Sequence, residues 1–340
     1  MPHASLDANL PTWAQLNDRH PCRALLLGNG ASRAVWKPFG YFSLFERAQQ
    51  VRSRALGKSD QALFKALATE LFEPVLSMLN TTARTNAALA ISSTAPLNRY
   101  YAIKEALIHA MRSVHVPCEQ VPVSTLQALN QALRNYDRVY TSNYDLLCPW
   151  AVGHAPQGFA RLFDDQGFFD VRATREPGTR LHYLHGGLHL LKQADGTTRQ
   201  RSAEGSELLD GFAVNTPGDV PLFINESASG DKLRAIRNSD YLSWCLGELA
   251  REREGLCVFG QHLGTQDQHL AEAIRQARPA HLAIAIRPLG EASIISQKQR
   301  YVEAFSEIPD LPLHFFDAST HPLGGVGREI AVPANYGKRH

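Results

Sequence analysis

The sequence predicts an α/β fold: a mostly parallel sheet with helices on both faces and a helical insertion after the first strand. Three observations carry that expectation. Short runs rich in Leu, Val, Ile and Phe, bounded by Gly or Pro, recur through the second half of the chain. Segments with apolar residues at helical spacing lie between several of them. Between the first strand-like run and the second, only the helical period appears, over a stretch too long for a structureless connection.

The first strand is RALLLG, residues 23–28, which stops at glycine. After it, Leu63, Leu67 and Leu71 form one helical stripe, which Pro74 ends or kinks. Ile103, Ala106, Leu107, Ala110, Met111 and Val114 form another. Ser124 and Gln127 stand at capping-box spacing before Leu126, Leu129 and Leu133. The insertion therefore covers residues 44–135 of one domain spanning residues 1–340. Beyond it, strands are expected at residues 138–141, 181–184, 221–224, 256–259, 281–286 and 313–316, with helices at 267–278 and 293–306. Residues 164–178 and 193–211 show no period and read as surface loops, and residues from 322 onward read as a loop with a frayed tail. No internal repeat or low-complexity segment appears.

Composition narrows the function classes. Forty-four per cent hydrophobic and 20 per cent charged residues are ordinary for a soluble globular protein. A formal charge of +2 gives no reason to invoke direct nucleic-acid binding or an acidic membrane surface. Cys22, Cys118, Cys148, Cys245 and Cys257 are scattered, never in C-x-x-C spacing, which argues against disulfides and a structural zinc site. No h-region opens the chain and no run of apolar residues is long enough to span a bilayer. A soluble, cytoplasmic protein is expected.

Four segments carry polar residues where a parallel sheet puts chemistry. GNGASRA, residues 28–34, follows the first strand; Gly28 and Gly30 permit a tight turn whose N–H groups approach a ligand, although Arg33 takes the third glycine position of a dinucleotide fingerprint. The motif alone fits a structural turn equally well. In RVYTSNYDLLCPW, residues 138–150, a strand runs into Asn143 and Asp145 at its carboxyl end, where ligands bind in open α/β sheets. Either residue could instead cap a helix starting near Leu146. LHYLHGG, residues 181–187, ends a strand on His185 beside two glycines. The spacing of His182, His185 and His189 would suit a metal only on a helix, and the glycine pair argues against one. LCVFGQHLGTQDQHL, residues 256–270, reads as strand, glycine turn, polar loop and helix, which suits a ribose or second phosphate; the alternative reads Asp267 as an N-cap, with His262 and His269 on the surface.

In this order, Gly28-Asn29-Gly30-Ala31-Ser32, Thr141-Ser142-Asn143-Tyr144-Asp145, His185-Gly186, Phe259-Gly260 and Asp267-x-His269 resemble the bacterial sirtuin-like superfamily. KLRAIRNSDYLSWCLGEL, residues 232–249, resembles the helix that precedes the glycine-turn strand there. The resemblance implies a Rossmann-like domain that binds NAD as substrate and breaks its nicotinamide–ribose bond. Asn143 would hold the nicotinamide ribose or the attacking water, His185 would act as base on a ribose hydroxyl, and Asp145 would support the loop. Gly28, Gly30 and Ser32 would line the pyrophosphate and Gly260 the adenosine ribose. Asn29, Ala31, Thr141 and Gln261 complete the residues placed around the dinucleotide. A neutral histidine near its ordinary pKa suits that proton transfer.

The sequence departs from protein-deacylating sirtuins in lacking a four-cysteine zinc module, and Asn29 stands where many relatives have alanine. The expectation is therefore a metal-free NAD glycohydrolase of the kind that serves as an anti-phage effector, regulated by homo-oligomerisation, the insertion or a partner protein. A sirtuin-type deacylase or ADP-ribosyltransferase, and a non-catalytic sensor of NAD or ADP-ribose, remain the alternatives.

Overall fold

The structure is a computed structural model and describes residues 6–40, 44–51, 54–172, 176–193, 195–201, 220–224, 229–308, 310–324 and 330–331. Its centre is a six-stranded sheet of β1 (Ala24–Leu27), β2 (Arg138–Thr141), β3 (Arg180–Tyr183), β7 (Leu256–Phe259), β8 (Leu282–Ile286) and β9 (Leu313–Asp317). The order is β3-β2-β1-β7-β8-β9, every pairing is parallel, and helices flank the sheet. This is the expected Rossmann-like α/β architecture. From β1 the chain proceeds to β2 and β3 on one side, and later to β7, β8 and β9 on the other. The order thus reverses between β1 and β7, and such a switch point opens a crevice at the carboxyl ends of the strands.

All four residues of β1 are buried, because a central parallel strand is covered on both faces. Leu25 and Leu26 are among the largest fully buried side chains, together with Tyr140, Phe316 and Trp36. Leu26→Ala would leave a cavity that cannot collapse within the sheet and cost about 2–5 kcal/mol. At the opposite edge, Arg138 is tied to Glu252 at 2.6 Å, and the Tyr140 hydroxyl donates to the same carboxylate at 3.0 Å. That network fixes where β2 begins, and hence where its tip ends.

Between β1 and β2 the described residues contain helices and no strand: Asn29–Val35, Leu44–Gln50, Lys58–Ala66, Phe72–Ala88, Thr94–Val114 and Val123–Leu133. The stripe from Ile103 to Met111 is buried as expected. Two local expectations are corrected. Leu63 and Leu71 do not share a helix: left-handed Ala68 (φ 50°) stops the first, and Pro74 lies in the opening turn of the next, where no intrahelical N–H is required. Ser124 caps nothing, because Pro122 already serves as N-cap and its carbonyl accepts from Thr125 and Leu126.

The region after β3 differs more. The strand expected at 221–224 exists as β6 (Val220–Phe223) but not in the parallel sheet. It pairs antiparallel with β4 (Gly186–Lys192), which also pairs with β5 (Thr198–Gln200), in a separate sheet of order β5-β4-β6. β4 was not expected, and β5 falls inside the stretch read as loop. Gly186 (φ 74°) starts β4 because a side chain there would collide with the Leu222 carbonyl. Part of 164–178 is also folded in, through bridges Phe163–Phe169 and Phe168–Arg199. The single helix expected over 232–249 is two, Ser229–Arg237 and Asp240–Leu249; the Ser239 hydroxyl accepts from the Leu242 N–H and starts the second. Residues 173–175, 194, 202–211, 325–329 and 332–340 of the expected loops and tail lie outside the described residues. No helix among the described residues is long and apolar enough to cross a membrane.

Candidate functional site

Parallel pairing holds the strand tips level: Leu27 is in register with Thr141 and Phe259, and Thr141 with Tyr183. The residues just beyond these tips surround one cavity of about 950 Å³. Of the residues expected at the site, Asn29, Gly30, Asn143, Asp145, His185, Gly260 and Gln261 line it. Gly28, Ala31, Ser32 and Thr141 are not among its lining residues and act from behind.

The glycine turn works differently from the expectation. A Cβ on Gly28 would strike Gln261, and one on Gly30 would lie 2.7 Å from the Gly260 Cα. The missing side chains let the turns after β1 and β7 interlock. Their N–H groups are already committed: Gly28 to the Phe259 carbonyl at 2.9 Å, Gly30 to Gly260 at 2.9 Å and Ala31 to Gly28 at 3.0 Å. These three amides cannot cradle a pyrophosphate as expected, because the packed turns use them. Gln261 is similarly engaged, accepting from Ser142 at 2.5 Å and donating to Asp267 at 2.8 Å.

Asn143 projects from the β2 tip and is buried. Its backbone N–H donates to Thr141 Oγ1 at 3.1 Å, and its Nδ2 donates to the Gly28 carbonyl at 3.1 Å and to Ser32 Oγ at 2.8 Å. Ser32 in turn donates to Asp145 at 2.5 Å. This chain of donors fixes which side of the amide is which, and it leaves Asn143 Oδ1 buried with no partner. An unmet buried acceptor costs free energy unless a ligand group meets it. Asp145 also accepts from the Leu147 N–H at 2.9 Å, which braces the first turn of helix Leu147–His154, although Leu146 and not Asp145 is its N-cap. Burial raises its pKa, and the Ser32 and Leu147 hydrogen bonds pull it back.

His185 follows β3, and its carbonyl is pinned by the Ile224 N–H at 2.8 Å. Its Nε2 lies 2.8 Å from His269 Nε2, and His269 Nδ1 lies 2.9 Å from Ser229 Oγ. Ser229 Oγ also accepts from the His269 N–H at 3.0 Å, which ties His269 to the start of helix Ser229–Arg237. The expectation of a histidine near its ordinary pKa is corrected. Burial drives His185 well below that value, and the Lys232 charge and His269 push the same way while Asp267 opposes them. His269, read as a surface residue, is buried, and burial lowers it to about 4. Burial opposes ionisation of Asp267, but the neighbouring histidines and Lys232, 2.8 Å away, outweigh it and lower its pKa. Its side chain caps no helix.

His182 and His189 do not join His185. His182 is stacked between Tyr140 and Trp244, and His189 meets the edge of Tyr183. The histidine that does join is His269: ligand-type atoms of His185, Asp267 and His269 lie within 4.8 Å of one another, with the Lys232 ammonium already at Asp267. Sequence reasoning also missed the cations of the cavity wall, Arg33, Lys232, Arg287 and Arg300. Arg287 directly follows β8, and the strand-end rule that found Asn143 would have found it. Arg300 sits within helix Glu291–Ala304 and gives no local signal.

Fold and site together define a Rossmann-like α/β protein with a cleft at its topological switch point whose wall carries several cations. The chain belongs to the family described as a domain of unknown function (DUF4917), which matches residues 25–323. No curated protein matches it.

Proposed function

We propose that this protein binds NAD in the switch-point cleft and hydrolyses its nicotinamide–ribose bond. The single observation carrying this reading is the unpartnered Asn143 Oδ1, held rigidly by Gly28 and Ser32 at a cavity wall that His185 shares. A fixed carbonyl oxygen is suited to orient a ribose hydroxyl or the attacking water. It also stabilises the cationic sugar that develops as nicotinamide departs, and oriented dipoles in a dry site act strongly there. Water supplies the oxygen that joins the ribose carbon; its proton passes to the hydrogen-bonded His185–His269 pair or to solvent, and the bond's electron pair leaves with neutral nicotinamide. Arg33, Arg287 and Arg300 make the cavity wall positive, which favours an anionic dinucleotide where the turn amides are committed.

The sirtuin-like resemblance of the strand-tip motifs supports the same chemistry and, with it, a cytoplasmic role in depleting NAD as an anti-phage effector under control of oligomerisation or a partner. One observation favours a second reading, a sensor that binds NAD or ADP-ribose without cleaving it. The depressed pKa of His185 makes it a weak base. Incubating pure protein with NAD and following free nicotinamide, with and without an acetylated peptide, separates the readings. Peptide-independent release supports hydrolysis, peptide-dependent release a deacylase, and intact NAD despite measurable binding a sensor.

A further inference from the structure

The two ends of the cleft carry different charge. At the β2–β3 end the ionisable groups are Asp145 and His185, with Asp267, Lys232 and His269 beside them. Across the switch point, the wall is Arg287, Arg300, Ser293, Gln297 and Ser319. The carboxylates lining the cavity are Asp145 and Asp267, and Asp267 is spent on Lys232 and Gln261. A ribose with free hydroxyls is commonly held by a carboxylate accepting from its 2′-hydroxyl; an arginine at that position instead meets a 2′-phosphate.

The two arginines are built into one unit. Gln297 accepts from the Arg287 N–H at 3.1 Å and donates to its carbonyl at 2.9 Å, tying the β8 tip to the helix that carries Arg300. Tyr301, next in that helix, donates to the Gln261 carbonyl at 2.5 Å and locks the helix to the glycine turn. From the β2 tip to the β8 tip is three strand steps, or roughly 14 Å at about 4.8 Å per step. That matches the reach of a pyrophosphate-linked pair of riboses whose first sugar lies at Asn143.

We propose that Arg287 and Arg300 form a phosphate clamp for the second ribose, so that the cleft selects the 2′-phosphorylated nicotinamide dinucleotide over NAD. This rests on the dinucleotide reading above and adds a substrate preference to it. Each guanidinium offers paired N–H donors to phosphate oxygens, and a dianion gains from both.

The test uses ligands that cannot be cleaved: ADP-ribose and ADP-ribose 2′-phosphate, titrated calorimetrically into the full chain. The wild type is expected to bind the phosphorylated ligand about tenfold or more tightly, as two charge-assisted contacts imply. Arg287→Gln with Arg300→Gln is expected to weaken the phosphorylated ligand far more than ADP-ribose and so to bring the two affinities together, with the melting temperature unchanged. Equal binding of the two ligands by the wild type overturns the clamp and leaves the NAD reading standing. Preference retained in the double variant overturns the assignment to these arginines. Failure of both ligands to bind overturns the clamp and the dinucleotide reading together.

Discussion

The two ends of the cleft differ in how their polar groups are held. At the Asn143 end nearly every donor and acceptor is buried and spoken for, and Asn143 Oδ1 stands out as the unmet one. At the Arg287 end the charged heads face open space, with Arg287 exposed and Arg300 half-buried. The difference teaches a division of labour. Buried, pre-oriented dipoles act on a transition state, whereas exposed cations contribute ground-state affinity that salt screens.

The sharpest way to break that comparison is to remove the buried groups one at a time. His185→Ala is expected to lower the rate of NAD cleavage by about 10²–10⁴, the usual range for a positioned acid or base. Asn143→Ala is expected to cost about 10²–10³, the range for one oriented dipole. In both, ADP-ribose affinity measured calorimetrically should change little. A variant that loses affinity and rate in parallel would place these residues in ground-state binding and erase the distinction between the ends.

Gly30→Val probes the hinge between the ends. Its new Cβ would sit 2.7 Å from the Gly260 Cα, backbone that cannot move aside. The expected result is a lower melting temperature, corresponding to about 1–3 kcal/mol, together with weaker binding. A variant that melts like the wild type but no longer binds would mean that ligand, not the Gly260 turn, fills that space.

Acid titration sharpens the picture of the buried network. His115 is lowered to about 4, and His182 and His189 to about 3, all by burial. An unfolded histidine takes up a proton near pH 6.5, so below that pH the unfolded state binds more protons. Stability is therefore complete above about pH 6.5 and falls as pH drops towards the folded values, by about 1.4 kcal/mol per pH unit for each fully charged group. Melting temperature should begin to fall near pH 6.5, before carboxylates titrate; a flat profile from pH 7 to 5 would show that these rings are solvated.

The smallest expected effect is from chelation. Lys232 already neutralises Asp267, so a strong chelator should leave cleavage unchanged. Loss of activity that zinc or manganese restores would make His185, Asp267 and His269 a metal centre.

How far all this could be read from the sequence varies by element. β1, β2, β7, β8 and β9 were legible because strands buried on both faces are continuous apolar runs ending at turn residues. β4 was not: Gly186 and Gly187 stand directly after the strand end read at His185, yet they open a new strand, with Gly186 in a left-handed backbone. Nor could the four residues of β6 announce which sheet or direction they join. At the site, Asn143, Asp145 and His185 were visible as polar groups at strand tips. His269, the partner of His185, and Ser229, which holds His269, come from helices, and the contact is made by tertiary packing that no local pattern encodes. The glycines of GNG were found but not the Gly260 turn they pack against, since a sequence shows where a side chain is missing and not what fills the space.

One experiment tests the central claim most directly: nicotinamide release from NAD by pure wild type and by Asn143→Ala, with ADP-ribose binding measured on the same samples. The expected result is release by the wild type and release about 10²–10³ slower by the variant, with matching affinities. Intact NAD in the wild-type reaction at raised protein concentration, or equal release by both proteins, would contradict the assignment of Asn143 to the bond being cleaved.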